Sequence, residues 1–204
     1  MDIQQQGNME SRIVEAAGQL FVEKGFEETS MSDIAASVGI NRTALHYYFR
    51  TKEKMFQAVF GDLIQEFLPR MQVIFMEDKP LMEKIGRVID TYFEIFRENP
   101  FLPKFILSEI QRDVDQLLDV GRKKHIDQYL HAIEMVLLAE IQAGNIKPVP
   151  MPVVMVTFFS QLTFPFLAKN LVISLFYNTE AEYQSFLNDW KQIILRQMEN
   201  LMIP

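Results

Sequence analysis

The chain of 204 residues carries 20 Lys+Arg against 27 Asp+Glu, a net charge of −7, and no Cys. That length fits one domain or two small ones and can bury a core without staples. The lack of Cys excludes a disulfide framework, a thiolate metal site and a Cys nucleophile, and suits a reducing cytosol. An acidic balance argues against a protein that coats nucleic acid or acidic membrane over its whole surface. Residues 37–54 nevertheless hold Arg42, Arg50, Lys52 and Lys54 against Glu53 alone, a local +3 that leaves −10 for the remainder. Seventeen Phe and twelve Met favour a soft interior able to adapt around an apolar guest. The start, Met1-Asp2-Ile3-Gln4-Gln5-Gln6, has no basic or apolar leader pattern, so a cytoplasmic protein without a signal peptide is expected.

Helical periodicity dominates. Over 11–24, Ile13, Ala16, Ala17, Leu20 and Phe21 recur at helical spacing, and Gly25 follows as a residue that tolerates positive φ. Ser30-Met31-Ser32-Asp33 predicts a helix start, with Ser30 as N-cap and Asp33 answering it in a capping box. Ile34, Ala35 and Val38 give this short helix an apolar side, and Gly39 ends it. Asn41 caps a second short helix over 42–49. From Lys52, a stripe through Phe56, Val59, Phe60, Ile64, Phe67, Met71 and Phe75 predicts one long helix to 76, kinked at Pro69. Further helices are expected over 80–98 and 101–110. One stretch over 113–143 stops at Gly144, and the last two helices span 152–175 and 180–201. No run alternates as a strand would, so the fold is read as all-α. Residues 148–168 lack charge, but crowded prolines and mid-run polar residues argue for a buried or partner-facing helix over a membrane span.

Two short helices joined by a tight Gly-containing turn form a helix-turn-helix, here Ser30–Val38, Gly39-Ile40 and Asn41–Tyr48. The second helix is narrow enough for the major groove and points Arg42, Thr43 and His46 outward. Arg42 can fork onto guanine, Thr43 can meet a base edge or thymine methyl, and His46 and Tyr47 can reach an edge or a phosphate. Tyr48 and Lys52 sit where backbone phosphates are expected. The same pattern also suits two helices of an ordinary bundle with a solvated basic face.

Over residues 12–56 the string RIVEAAGQLFVEKGFEETSMSDIAASVGINRTALHYYFRTKEKMF resembles the DNA-binding domain of the TetR family of bacterial repressors. The likeness lies in A-x-x-L-F-x-x-K-G-F, S-M-x-D-I-A, the V-G-I-N turn, the Y-Y-F run and the T-K-E that follows. It implies a cytoplasmic, dimeric, sequence-specific transcription regulator, a repressor by family habit, with about nine helices. The expected division is an N-terminal three-helix helix-turn-helix domain over 8–54 and a C-terminal helical ligand-binding and dimerisation domain over 55–204. It places base or phosphate contacts at Arg42, Thr43, His46 and Tyr47, and phosphate contacts at Ser30, Tyr48 and Lys52. His46 stands where the family often has Tyr, which makes DNA binding sensitive to pH.

One such unit buries little surface, so two copies reading a palindromic operator are expected. For the homodimer interface the last two helices offer Phe159, Leu162, Phe166, Leu187, Trp190, Ile194 and Met198. The same stripes would equally fill one chain's own core. An inducer, a small apolar or aromatic molecule of unknown identity, would sit among Tyr92, Phe96, Phe101, Phe105, Tyr129, Met155, Phe158 and Leu162. Glu109, His125 and Gln128 would supply polar contacts. Close-packed core is the plain alternative.

No cofactor, metal or membrane partner is expected. His125 and His131 are six apart and point to different sides of a helix, a poor metal pair. Without H-E-x-x-H, G-x-S-x-G or a phosphate-loop string, an enzyme is not expected. The rival reading is a helical interaction module whose helix-turn-helix binds a protein.

Overall fold

A computed structural model describes residues 3–100 and 102–204. Its helices in chain order are α1 (Ile3–Glu23), α2 (Met31–Ser37), α3 (Arg42–Tyr48), α4 (Lys52–Met76), α5 (Leu81–Glu98), α6 (Leu102–Arg112), α7 (Val114–Lys123), α8 (Ile126–Gln142), α9 (Met151–Leu167), α10 (Lys169–Phe176) and α11 (Glu180–Met202). There is no strand among the described residues. Packing divides the chain into two units. Unit 1 holds residues up to Phe67 and Lys104–Ile126, and unit 2 holds Leu68–Pro103 and Asp127–Pro204. Helix α4 thus begins in one unit and ends in the other.

In unit 1 the caps are local. Ser30 Oγ accepts the Asp33 amide at 3.1 Å, and Asp33 Oδ2 accepts the Ser30 amide at 2.9 Å, closing the capping box. Asn41 Oδ1 accepts the Ala44 amide at 2.8 Å. Gly39 adopts φ +75°, where a Cβ would crowd the following carbonyl. This lets the Gly39 and Ile40 amides return to the Ala36 and Ala35 carbonyls, the closing bonds of a Schellman turn. Ile13, Ala17, Phe21, Ile34, Leu45, Met55 and Phe56 are buried beneath these turns. Each large side chain among them contributes about 1.5–3 kcal/mol.

In unit 2, α5, α9 and α11 pack on one another around Ile89, Phe93, Leu162, Tyr183, Leu187, Ile194 and Met198. Leu162, Leu187, Ile194 and Met198, expected at a dimer interface, are 0–1% exposed inside this single chain, so their stripes close its own core. Phe159, Phe166 and Trp190 are half-buried against the same cluster.

Two stretches read as single helices are broken, giving eleven helices among the described residues where about nine were expected. The first break falls at Lys124-His125, where His125 takes φ +62°. The chain turns there so that Ile126 lies against Gly121, a position where a Cβ would come within 2.9 Å of the Ile126 side chain. The second falls at Ala168, where α9 and α10 diverge by 67°. Pro165 cannot donate to the Gln161 carbonyl. The indole Nε1 of Trp190 donates to it instead at 3.0 Å, and Tyr183 Oη donates to the Pro165 carbonyl at 3.0 Å. With that bend, no single described helix is long and apolar enough to cross a membrane.

Candidate nucleic-acid interface and ligand cavity

Helix α3 turns Leu45 into the core of unit 1 and leaves Arg42 and Thr43 exposed, with Tyr47 71% exposed. His46 and Tyr48 are half-buried. Arg42 Nε lies 3.4 Å from His46 Nε2, a long and weak hydrogen bond that needs a neutral imidazole as acceptor. Tyr47 and Tyr48 meet edge to face with centroids 5.5 Å apart. A narrow helix thus carries a guanidinium, a hydroxyl, an imidazole and a phenol at its outer side, a set able to donate to and accept from base edges and phosphates.

Ser30 and Lys52 are more committed than the sequence suggests. The Ser30 hydroxyl donates to Asp33 Oδ2 at 2.6 Å. This contact, with the Ser30 amide, holds the Asp33 carboxyl below its ordinary pKa. The Lys52 ammonium donates to the Phe26 and Glu27 carbonyls at 2.7 and 3.1 Å and stands 4.4 Å from the Phe26 ring centroid. Two of its three protons therefore tie α4 to the segment after α1, and one remains for a phosphate.

Arg112, which sequence reasoning missed, covers the same ring. Its guanidinium lies 4.0 Å from the Phe26 centroid, and its Nε donates at 2.8 Å to Glu109, buried to 1% exposure. Only an i,i+3 pair of opposite charges in α6 hints at this in the sequence.

Unit 2 contains a cavity of about 80 Å³ that opens towards solvent. Its walls come from α4, α5, α8, α9 and α11, with Phe75, Ile85, Leu137, Phe159, Met198 and Met202 among them. Of the residues expected around a ligand, Tyr92, Tyr129, Met155 and Phe158 line it. Phe96 and Leu162 lie elsewhere in unit 2. Phe105, Glu109 and His125 belong to unit 1, since most of α6 and all of α7 pack there. Gln128 is exposed and Phe101 falls outside the described residues. Burial pushes the phenols of Tyr92 and Tyr129 well above their ordinary pKa, so both remain neutral hydroxyls. Missed wall residues such as Met198 and Met202 sit on the stripe assigned to dimerisation. No cluster of His, Asp or Glu able to hold a metal occurs among the described residues.

The family model described as bacterial regulatory proteins of the tetR family matches residues 13–59. The chain is 25% identical over 138 residues to the fatty acid metabolism regulator protein of Bacillus subtilis, covering 67% of this chain and 70% of that one. It spans about 60–70% of the length of the first curated relatives it matches. Among solved structures, it superposes on a TetR family transcription regulator from Marinobacter aquaeolei with a TM-score of 0.70 and 21% identity, covering 94% of this chain and 97% of that one. It superposes equally, at 0.70 with 19% identity and coverage of 91% and 97%, on the transcriptional regulator FadR from Bacillus subtilis in complex with stearoyl-CoA. Residues 13–59 carry the tetR-family match, and the whole chain shares the fold of the TetR family transcription regulators on which it superposes.

Proposed function

We propose that the protein is a dimeric, sequence-specific repressor that leaves a palindromic operator when a small apolar or aromatic molecule enters unit 2. The observation that carries this reading is α3, held by local caps with Arg42, Thr43 and Tyr47 outward. Residues 8–54 read DNA, with Arg42, Thr43, His46 and Tyr47 at bases or phosphates and Ser30, Tyr48 and Lys52 at the backbone. Residues 55–204 bind the ligand and the second copy. Reading genomic DNA places the protein in the cytoplasm. The relatives that regulate fatty acid metabolism, one of them solved with stearoyl-CoA, support an apolar guest.

The dimer surface lies outside the buried stripes. Val156 and Phe164 on α9 and Leu171, Leu175 and Phe176 on α10 are 59–73% exposed, an apolar set available to a second copy. Helix α4, shared by the two units, is the element whose displacement would change the spacing of two recognition helices. Moving a balance from 1:99 to 99:1 takes about 5.5 kcal/mol of differential binding.

Selection of bound duplexes from a random pool tests the reading, and a palindrome is the expected product. On the selected site, log affinity falls steeply with log salt as phosphate counterions are released, whereas a flat response would favour a protein-binding module. Arg42→Ala costs about 1–3 kcal/mol at one base position of each half-site. An unchanged sequence preference would remove Arg42 as a base reader.

A further inference from the structure

The effector cavity has a one-sided chemistry. None of its fifteen lining residues is charged, and the Tyr92 and Tyr129 side chains supply its hydroxyls. Lys84, a buried cation of unit 2, is not in the wall, and its ammonium is bound to the Phe75 carbonyl at 3.1 Å.

Leu130, Ile133 and Met155 also border an adjoining opening, so the two spaces share a wall. The polar groups there are Asp127, His131 and Glu134, with His131 Nδ1 3.6 Å from Glu134 Oε2, and Lys and Arg are absent. A second opening borders the cavity through Leu137, Val154 and Met202. Lys147 and Glu134 both line it, and the Lys147 ammonium lies 3.4 Å from the Asn200 carbonyl.

A molecule seated in the cavity therefore meets neutral walls and, at the first opening, two carboxylates. At the first opening, unlike the one bordered by Lys147, a carboxylate or phosphate head would leave water without meeting a cation, and like charges would oppose it. An ammonium head finds opposite charge there and aromatic faces below.

We propose that this cavity takes a lipophilic cation: an apolar or aromatic body inside, with an amine or quaternary ammonium head at the Asp127–Glu134 opening. The proposal rests on the reading of the cavity as the effector site. It sets this protein apart from the FadR solved with stearoyl-CoA, whose ligand carries an anionic head.

Four probes with one ten-carbon tail separate the possibilities: decyltrimethylammonium, decanol, decanoate and decanoyl-CoA. Each is titrated below its micelle concentration against the full-length protein by equilibrium dialysis. The ammonium probe is expected to bind about ten-fold more tightly than decanol, with both anions weaker than decanol. The double variant Asp127→Asn/Glu134→Gln is expected to bind decanol normally and to lose the preference for the cation. Met155→Trp, which fills the cavity, is expected to lose all binding. Decanoate or decanoyl-CoA binding as tightly as the ammonium probe overturns the head-group assignment and leaves the cavity as effector site. Cation binding that survives Met155→Trp, or a preference that survives the double variant, overturns it as surface association. Binding by none of the four probes overturns the cavity reading itself.

Discussion

The helix-turn-helix and the α9–α10 bend satisfy their backbone polar groups in different ways. Between residues 30 and 44, each cap is made by a side chain three residues from its partner, Ser30 with Asp33 and Asn41 with Ala44. At the α9–α10 bend, the Gln161 carbonyl is met by Trp190, 29 residues away, and the Pro165 carbonyl by Tyr183, 18 residues away. The reading head is thus locally prescribed. The bend in unit 2 takes its shape from contacts between distant helices, so parting those helices would alter it while the helix-turn-helix keeps its own local caps.

The contrast breaks most visibly at the core of unit 2. Leu187→Ala removes a side chain with 0% exposure and is expected to cost about 2–5 kcal/mol in a urea titration. A loss below about 1 kcal/mol would mean that the stripe is not closed within one chain. Trp190→Phe keeps one aromatic ring, loses the rest of the indole and strands the Gln161 carbonyl, the last at about 1–3 kcal/mol. Its effect should appear in thermal unfolding and leave operator specificity alone.

Within unit 1, Lys52→Ala has a double expected outcome. All duplexes bind more weakly and alike, since a phosphate carries no sequence identity. The melting temperature also falls, because the Phe26 and Glu27 carbonyls lose their donor. Arg42→Ala, by comparison, changes sequence preference without changing the melting temperature. A Lys52→Ala protein of normal melting temperature would assign that side chain to DNA alone.

The smallest effect concerns the first cap. The Asp33 carboxyl titrates below its unfolded value, chiefly because Ser30 donates to it. Its contribution is therefore present above the ordinary carboxylate range and is lost as the pH falls through the depressed value. The stability gap between wild type and Asp33→Ala should be widest near neutrality and close on acidification. A gap that stays constant with pH would show that the charge is not what stabilises the turn.

Legibility in the sequence followed the same division. Ser30, Asp33, Gly39 and Asn41 announce their roles because caps and positive-φ turns depend on neighbours within a few residues. The stripe through Leu187, Ile194 and Met198 reports only that a face is covered, and periodicity does not distinguish a chain's own core from a second copy. Tyr92, Tyr129, Met155 and Phe158 meet at one cavity, while Phe105, Glu109 and His125 pack in the other unit. That assignment depends on where α7 gives way to α8. The left-handed turn of His125 makes the break and sets Ile126 against Gly121, a local arrangement that helical spacing does not encode.

The bend in α9 gives the molecule an optical reporter of its own. Trp190 is the sole tryptophan, so emission excited where tyrosine does not absorb arises from one indole, and that indole is anchored to the carbonyl freed by Pro165. Phe158, one turn before Gln161, lines the cavity. A guest that shifts α9 against α11 will therefore change the colour and yield of that emission, and occupancy can be followed in the unlabelled protein while it sits on, or leaves, its DNA.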